Sequence, residues 1–190
     1  MATSSTAVAT DPRLDSRSDA QRRDELARDI VSAALVKGRF VLESVESDFF
    51  IDKYLFEARP AILRRIATHL AHLLPGTTQR LVAHEIGPLA VATAVSLETG
   101  LPLSIGHPDP DDSRRLRFSG ELHPGDEAAV IEDVVSSGRR AVSVISPLLE
   151  QRIEVIGVLA VIDREEGGAA AIEQHGATFQ PLYRLRDLQI

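Results

Sequence analysis

The chain has 190 residues, a length that suits one sizeable domain with a small appendage. Its net charge of −7 argues against a general affinity for nucleic acid. It contains no cysteine, which excludes disulfides and cysteine catalysis and suits a cytoplasmic protein. No apolar run approaches the roughly 18 residues that cross a bilayer, so we expect no membrane association.

The basic residues are unevenly divided between lysine and arginine. Lys37 and Lys53 are the only lysines, and the other residues of the Lys+Arg total of 21 are all arginines. Arginine binds phosphate well but hardly acts as an acid or base. A reaction that needs a compact ammonium group therefore has two candidates in this chain.

The N-terminal part of the chain predicts a tail, a helix and a small hairpin. Residues 1–18 carry too little apolar surface to offset the entropy of ordering, so we expect a disordered tail. Residues 19–36 show an apolar stripe at helical spacing. Residues 38–54 form two short β-like runs around a polar turn. We group residues 19–60 as a helix with a small N-terminal hood.

Phe49 and Phe50 are adjacent in the second run of the hood, so their rings lie on opposite faces of a strand. One ring can stack on a planar ligand, or both can pack in the core. The sequence leaves both interpretations open.

Residues 61–190 alternate helices with strands, which predicts an α/β fold with an open, mainly parallel sheet flanked by helices. We expect strands near residues 80–83, 101–105, 155–162 and 179–185, a further buried strand that opens residues 128–141, and helices near residues 60–74, 89–98, 139–151 and 169–175. Pro147 is expected to break or kink the third of these helices. Residues 106–117 are either a mobile lid or a surface loop, residues 118–125 a hairpin arm, and residues 186–190 a tail.

A buried strand that ends in Glu132 and Asp133 is followed by a turn and a helix. The two carboxylates accept hydrogen bonds, as ribose hydroxyls require. Ser136, Ser137 and Gly138 precede the helix, whose N-terminal N–H groups attract phosphate. The alternative is an ordinary strand-to-helix connection in which one of the serines caps the helix.

Three loops of the chain follow predicted strands and carry polar or glycine residues. They are residues 84–88, 132–138 and 163–168. Open parallel sheets bind ligands outside the carboxyl ends of their strands. We therefore expect these loops to converge on one site.

Residues 130–138 resemble the phosphoribosyl pyrophosphate signature of the type I phosphoribosyltransferases, and residues 37–188 as a whole resemble the orotate phosphoribosyltransferase family. The resemblance implies the type I phosphoribosyltransferase fold and a reaction of pyrimidine nucleotide biosynthesis. Pyrophosphate leaves C1 of phosphoribosyl pyrophosphate, and a nitrogen of orotate or a related pyrimidine base takes its place. The resemblance also implies a homodimer and Mg²⁺ bound through the pyrophosphate of the substrate.

The resemblance assigns roles to three groups of residues. The phosphoribosyl group would be bound at its hydroxyls by Glu132 and Asp133, and at its 5′-phosphate by Val135, Ser136, Ser137, Gly138 and Arg139. The pyrophosphate loop would contain Glu85, Ile86 and Gly87. The base would contact Phe49 or Phe50, and Arg164. The resemblance implies no metal site built from side chains alone.

The lid, residues 106–117, departs from the family pattern because it contains no lysine. Its acidic residues would repel a leaving pyrophosphate, by on the order of a kcal/mol or more at close range. His107, Arg114 and Arg115 are the remaining candidates for catalytic cations. The two arginines suit phosphate binding better than proton transfer.

Two further positions depart from the family pattern. Glu46 stands where the hood is expected to carry a cation, and Arg139 with Arg140 replaces a glycine and a serine in the phosphate turn. Arg139 either strengthens phosphate binding or fills the turn and blocks it. Two main hypotheses follow: an active transferase, or a non-catalytic regulator or partner subunit that binds phosphoribosyl pyrophosphate or a nucleotide. A purine-type relative is a third, which the pattern of the hood disfavours.

Overall fold

The computed structural model describes residues 17–42, 45–112 and 115–190. Most of the predicted tail lies outside these ranges, and so does Arg114. Ser18, at the boundary between the predicted tail and the predicted helix, is the N-cap of the first helix. Its hydroxyl accepts from the N–H of Gln21, and the Gln21 side chain accepts from the N–H of Ser18. This capping box satisfies N–H groups that the first helical turn leaves unpaired.

The described residues form six helices, eight strands and a final 3-10 turn. The helices are α1 (Asp19–Ala34), α2 (Lys53–Glu57), α3 (Pro60–Leu73), α4 (Leu89–Thr99), α5 (Arg139–Glu150) and α6 (Gly168–Glu173). The strands are β1 (Leu35–Leu42), β2 (Val45–Ile51), β3 (Arg80–His84), β4 (Leu103–Pro108), β5 (Leu116–Ser119), β6 (Glu127–Val135), β7 (Glu154–Asp163) and β8 (Thr178–Arg184), and the turn is Leu185–Asp187. Within the described ranges, no helix combines the length and the apolar character that a bilayer crossing needs.

Six strands form one sheet in the order β5-β4-β3-β6-β7-β8. Every neighbouring pair in it is parallel except β4 with β5. The strand β8 lies at an edge, as its sequence predicts. An open, mainly parallel sheet is therefore confirmed.

The apolar residues of the central strands are divided between two cores, one on each face of the sheet. Ile131 and Leu159 pack on the face that α1, α3 and α4 cover. Val130 and Val158, one position earlier, pack on the face that α5 and α6 cover. Because successive side chains of a strand point to opposite faces, a continuous apolar run is what a sheet covered on both faces requires.

The hood is a separate two-stranded antiparallel sheet of β1 and β2. Its second strand ends at Ile51, and α2 follows at once because the Asp52 side chain accepts from the N–H of Tyr54 at 3.1 Å. This short helix was not predicted from the sequence. It anchors the hood to the core through Phe56, which is fully buried.

The lid begins and ends as a β-hairpin, which corrects the prediction of a loop over residues 106–117. Residues 106–108 belong to β4, and they pair antiparallel with the first residues of β5. The predicted hairpin arm over residues 118–125 is confirmed only in part. Residues 118 and 119 belong to β5, which pairs with β4 after a hairpin turn that precedes Leu116, and a turn stands at residues 124–125. These strands are too short to show a clear period-2 pattern in the sequence.

Pro147 does not break α5, which continues to Glu150. A proline removes the hydrogen bond that its nitrogen would donate to the carbonyl four residues earlier. That carbonyl belongs to Ser143, which is exposed, so water can satisfy it. The predicted tail over residues 186–190 is also wrong in part, because Leu188 is buried in the core.

Candidate active site

A cavity of about 370 Å³ lies where the carboxyl end of β6 faces the hood. Four parts of the chain build its wall: the hood, the start of α2, the end of β6 with the first turn of α5, and the loop after β7. The lining residues are Val41, Phe50, Ile51, Asp52, Lys53, Tyr54, residues 132–141, Arg164 and Glu166.

The three loops that the sequence places at strand ends lie against one another. A Cβ atom on Gly138 would stand 2.9 Å from the carbonyl oxygen of Gly168. On the other side of the site, a Cβ atom on Gly87 would stand 2.7 Å from Oδ2 of Asp133. A side chain at either position would collide with these atoms. Glycine therefore allows the loops to pack closely around the site.

Glu132 and Asp133 end the buried part of β6, and both side chains are almost completely removed from water. Among the described residues, Oε1 of Glu132 has no hydrogen-bond partner. Burial, and then the neighbouring Asp133 carboxylate, raises the pKa of Glu132 to about 8, while Arg140 and Lys53 act against this shift. Glu132 is therefore mostly protonated at neutral pH and can both donate and accept a hydrogen bond.

Asp133 forms an ion pair with Lys53, in which Oδ2 and Nζ are 2.6 Å apart. The side chains of Asp133 and Lys53 are 1% and 19% exposed, so the pair is largely shielded from water. Removing one partner of such a pair leaves a buried charge uncompensated, which destabilises far more than losing an exposed pair.

Lys53 is a residue of this site that the sequence analysis did not assign to it. One signal was available, since Lys53 is one of two lysines in the chain. Its position follows from α2, whose first residue it is. Because that helix starts immediately after the hood strand, the Lys53 side chain lies next to the hood and contacts Asp133 at the end of β6.

The turn after β6 has the geometry of an anion site. Gly138 is the N-cap of α5 in the left-handed conformation, with φ 77°. Intrahelical bonding starts with the N–H of Val142, which donates to Gly138 O at 3.0 Å. The N–H groups of the first helical turn therefore have no partner within the helix, and they attract a phosphate. Ser136 and Ser137 line the cavity beside them, and neither is the N-cap.

Phe50 and Phe49 have different environments in the structure. The Phe50 ring lines the cavity and lies 5.7 Å from the ring of Phe40, centre to centre. Phe49 packs against the core instead, and the Arg164 guanidinium lies 5.8 Å from the centre of its ring. Arg164 also pairs with Glu166 at 2.8 Å. The stack therefore holds Arg164 at the edge of the cavity.

The loop between β3 and α4 bends sharply toward the site. The peptide bond between Glu85 and Ile86 is cis. The N–H of Glu85 donates to Gly106 O at 2.8 Å, which ties the loop to the lid. The Ile86 side chain is 72% exposed, whereas Gly87 is buried directly beneath Asp133 and Lys53.

Comparison with known proteins decides the family. No family model matches the chain. The chain is 33% identical over 167 residues to the orotate phosphoribosyltransferase of Methanocella arvoryzae, across 86% of this chain and 95% of the relative. The chain belongs to the orotate phosphoribosyltransferase family. The resemblance found in the sequence is thereby confirmed.

Solved structures agree with this membership of the orotate phosphoribosyltransferase family. The crystal structure of the Mycobacterium tuberculosis H37Rv orotate phosphoribosyltransferase with Fe(III) dicitrate has a TM-score of 0.78 and 25% identity, over 89% of this chain and 99% of that one. The same enzyme with 5-phospho-α-D-ribosyl 1-diphosphate has a TM-score of 0.74 and 23% identity, over the same shares. The type I phosphoribosyltransferase fold is confirmed.

The lid residues that the sequence offered as catalytic cations do not line this cavity within the described ranges. Nε2 of His107 lies 2.9 Å from Oγ of Ser119, on the neighbouring strand. Arg115 closes the hairpin turn through its backbone, and Arg114 lies outside the described residues. Their catalytic role stays a prediction.

Proposed function

We propose that this protein transfers a phosphoribosyl group from phosphoribosyl pyrophosphate to orotate or a related pyrimidine base, in pyrimidine nucleotide biosynthesis. The observation that carries the proposal is the buried pair of Glu132 and Asp133 beside the open N-terminus of α5, in a member of the orotate phosphoribosyltransferase family. The relative from Mycobacterium tuberculosis has been solved with phosphoribosyl pyrophosphate, which supports the choice of donor.

The proposed donor fits the cavity in one orientation. The first turn of α5, with Ser136 and Ser137, takes the 5′-phosphate. Glu132 and Asp133 take the ribose hydroxyls, which compete with Lys53 for the Asp133 carboxylate. The transition state carries positive charge on the sugar, and a preorganised carboxylate nearby stabilises it without reorganisation.

The acceptor base fits on the side of the hood. The Phe50 ring lines the cavity and offers a flat apolar face to a pyrimidine. Arg164 is already held at the edge of the cavity, where it exchanges Glu166 for the carboxylate of orotate. A planar guanidinium binds a carboxylate through two parallel hydrogen bonds, which favours orotate over uracil.

We propose that Mg²⁺ binds together with the substrate, through its pyrophosphate. Within the described residues, no group of three or more acidic or histidine side chains converges on one point. Mg²⁺ is commonly held by one or two carboxylates together with substrate phosphates, so the phosphates of the donor can supply most of its ligands here. When bound, the ion neutralises the charge that develops on the pyrophosphate.

The proposal is tested by measuring orotidine phosphate formation from orotate and phosphoribosyl pyrophosphate with Mg²⁺, alongside calorimetric binding of the sugar phosphate. We expect saturable binding and turnover. Binding without turnover, for orotate and for uracil alike, contradicts the transferase and favours the non-catalytic regulator. Absence of binding contradicts both hypotheses.

We also propose a homodimer, formed through an apolar surface next to the pyrophosphate loop. Ile86, Leu97 and Tyr54 are large exposed side chains around α4, and the Leu97 side chain is 83% exposed. Contiguous exposed apolar residues of this kind mark interaction surfaces. A second copy bound here lies beside the pyrophosphate loop, so assembly and activity are linked.

Leu97→Arg is expected to shift the protein from dimer to monomer, because a buried guanidinium without a partner opposes association. Sedimentation velocity measures the change. Leu149→Arg is the matched control, since Leu149 is an exposed leucine on α5, on the other face of the sheet. A wild type that is already monomeric, or equal effects of the two substitutions, contradicts this interface.

Two expectations from the sequence stay predictions. One is the cytoplasmic location. The other is the division of the chain into a helix and hood over residues 19–60 and a core over residues 61–190.

A further inference from the structure

We propose that Lys53 and Arg140 bind the leaving pyrophosphate as a pair of cations from one subunit, and that they supply the positive charge that the lid does not provide. The inference rests on the proposed function and deepens it. Neither residue belongs to the lid: Lys53 opens α2 and Arg140 lies in the first turn of α5.

The two cations converge on one point of the pyrophosphate loop. A Cβ atom on Gly87 would stand 2.5 Å from Nζ of Lys53 and 2.9 Å from Nη1 of Arg140. The same point is 2.7 Å from Oδ2 of Asp133. Two cationic groups and one carboxylate thus meet directly over a glycine that leaves them room.

Several acids lie near the two cations, and they differ in how readily they ionise. Asp133 is the partner of Lys53, and Asp52 lines the same cavity. Burial, and then Asp133, raises the pKa of both Glu132 and Glu57, so these two carboxyls hold their protons more tightly than usual. An anion that reaches the two cations in a partly closed cavity is attracted strongly, because the low dielectric strengthens the attraction.

The position of the pair distinguishes the pyrophosphate from the 5′-phosphate. The 5′-phosphate lies at the turn from Ser136 to Gly138, where the helix N-terminus is open. Lys53 and Arg140 lie beyond Asp133, over the loop between β3 and α4. The ribose hydroxyls bind between these two places, so the cations face the C1 end of the sugar.

The described part of the lid supplies little positive charge for the pyrophosphate. Of the residues described there, Asp109, Asp111 and Asp112 outnumber Arg115 and Arg117, and Arg117 lies 3.8 Å from Asp109. Lys53 is the one lysine that reaches the cavity. An ammonium group and a guanidinium together provide a compact charge and a broad hydrogen-bonding face, which suits the several oxygens of pyrophosphate.

The test compares two probes by calorimetry with Mg²⁺ present: inorganic pyrophosphate and ribose 5-phosphate. Arg140→Met is expected to weaken pyrophosphate binding by at least 10-fold and to change ribose 5-phosphate binding by less than 3-fold. Lys53→Met is also expected to weaken pyrophosphate binding by at least 10-fold, and to affect ribose 5-phosphate binding less than that, because Lys53 reaches the ribose only through its partner Asp133. Lys53→Arg is expected to restore most of the loss. Lys37→Met and Arg64→Met, which remove the other lysine and an exposed arginine of α3, are matched controls and should bind both probes like the wild type.

The outcomes separate this inference from the proposed function. A wild type that binds no phosphoribosyl pyrophosphate overturns the proposed function and the inference with it. A wild type that binds it, with variants that bind pyrophosphate normally, overturns the inference alone. Equal losses for the two probes also overturn it, because the cations would then serve the 5′-phosphate. Arg140→Met keeps the ion pair of Lys53 with Asp133, so it decides the matter if Lys53→Met does not fold.

Discussion

Asparagine in place of Asp133 is expected to weaken binding of phosphoribosyl pyrophosphate by about 100-fold, or about 2.7 kcal/mol. The substitution keeps the shape of the side chain but removes the charge that accepts hydrogen bonds from ribose hydroxyls. It also leaves Lys53 without its partner, 2.6 Å away in a site where Asp133 is 1% exposed. Because both partners belong to the protein, breaking this buried pair lowers the folding stability, so the variant is first shown to be folded. Calorimetric titration of the purified variant measures the loss.

The matched control for this prediction is Asp111→Asn in the lid. Asp111 is exposed, so solvent screens its charge. Removing it is expected to change the affinity by less than about 3-fold, in the direction of tighter binding because one repelling charge is lost. Equal losses for the two variants would contradict the placement of the ribose at the end of β6.

The end of β6 was predictable because its chemistry is local. An apolar run buried on both faces predicts a parallel strand, and Glu132 with Asp133 then falls at its carboxyl end. The glycine after two serines predicts the turn into α5. The convergence of three such loops follows from the parallel sheet alone, since all carboxyl ends lie on one edge.

The role of Lys53 could not be predicted, because it depends on contacts between distant parts of the chain. Its Nζ meets Asp133 only because α2 starts where the hood ends and turns back toward β6. The roles of the two hood phenylalanines likewise depend on contacts with distant parts of the chain. Period-2 alternation put Phe49 and Phe50 on opposite faces, but only the packed structure shows that Phe50 faces the cavity.

Arg140 was visible in the sequence as a departure, and its meaning changed with the structure. In the sequence it was noted, with Arg139, as a replacement of a small residue in the phosphate turn. Its side chain instead reaches over the pyrophosphate loop to Gly87. A substitution that breaks a local pattern can therefore supply a function to a neighbouring loop, which a linear comparison of motifs does not reveal.

Glu132→Gln is expected to make the protein without ligand more stable at pH 8 and above, and to flatten the dependence of its stability on pH. The pKa of Glu132 is about 8 in the folded protein, against 4.5 as its ordinary value. A raised pKa means that the folded state holds the proton more tightly than the unfolded chain. The wild type therefore has its full stability below pH 4.5 and loses this contribution as the pH rises toward 8. Glutamine removes the ionisation and keeps the shape.

Thermal unfolding between pH 5 and 9 measures the effect, and roughly 2–4 °C in Tm corresponds to each kcal/mol for a chain of this size. Glu57→Gln is the matched comparison. Burial, and then Asp133, raises the pKa of Glu57 to about 8 as well, and Glu57 lies outside the cavity that receives the sugar. Both variants should therefore lose part of the pH dependence, whereas only Glu132→Gln should weaken binding of phosphoribosyl pyrophosphate. If Glu132→Gln unfolds in parallel with the wild type across this range, the Glu132 carboxyl is ionised in the folded protein.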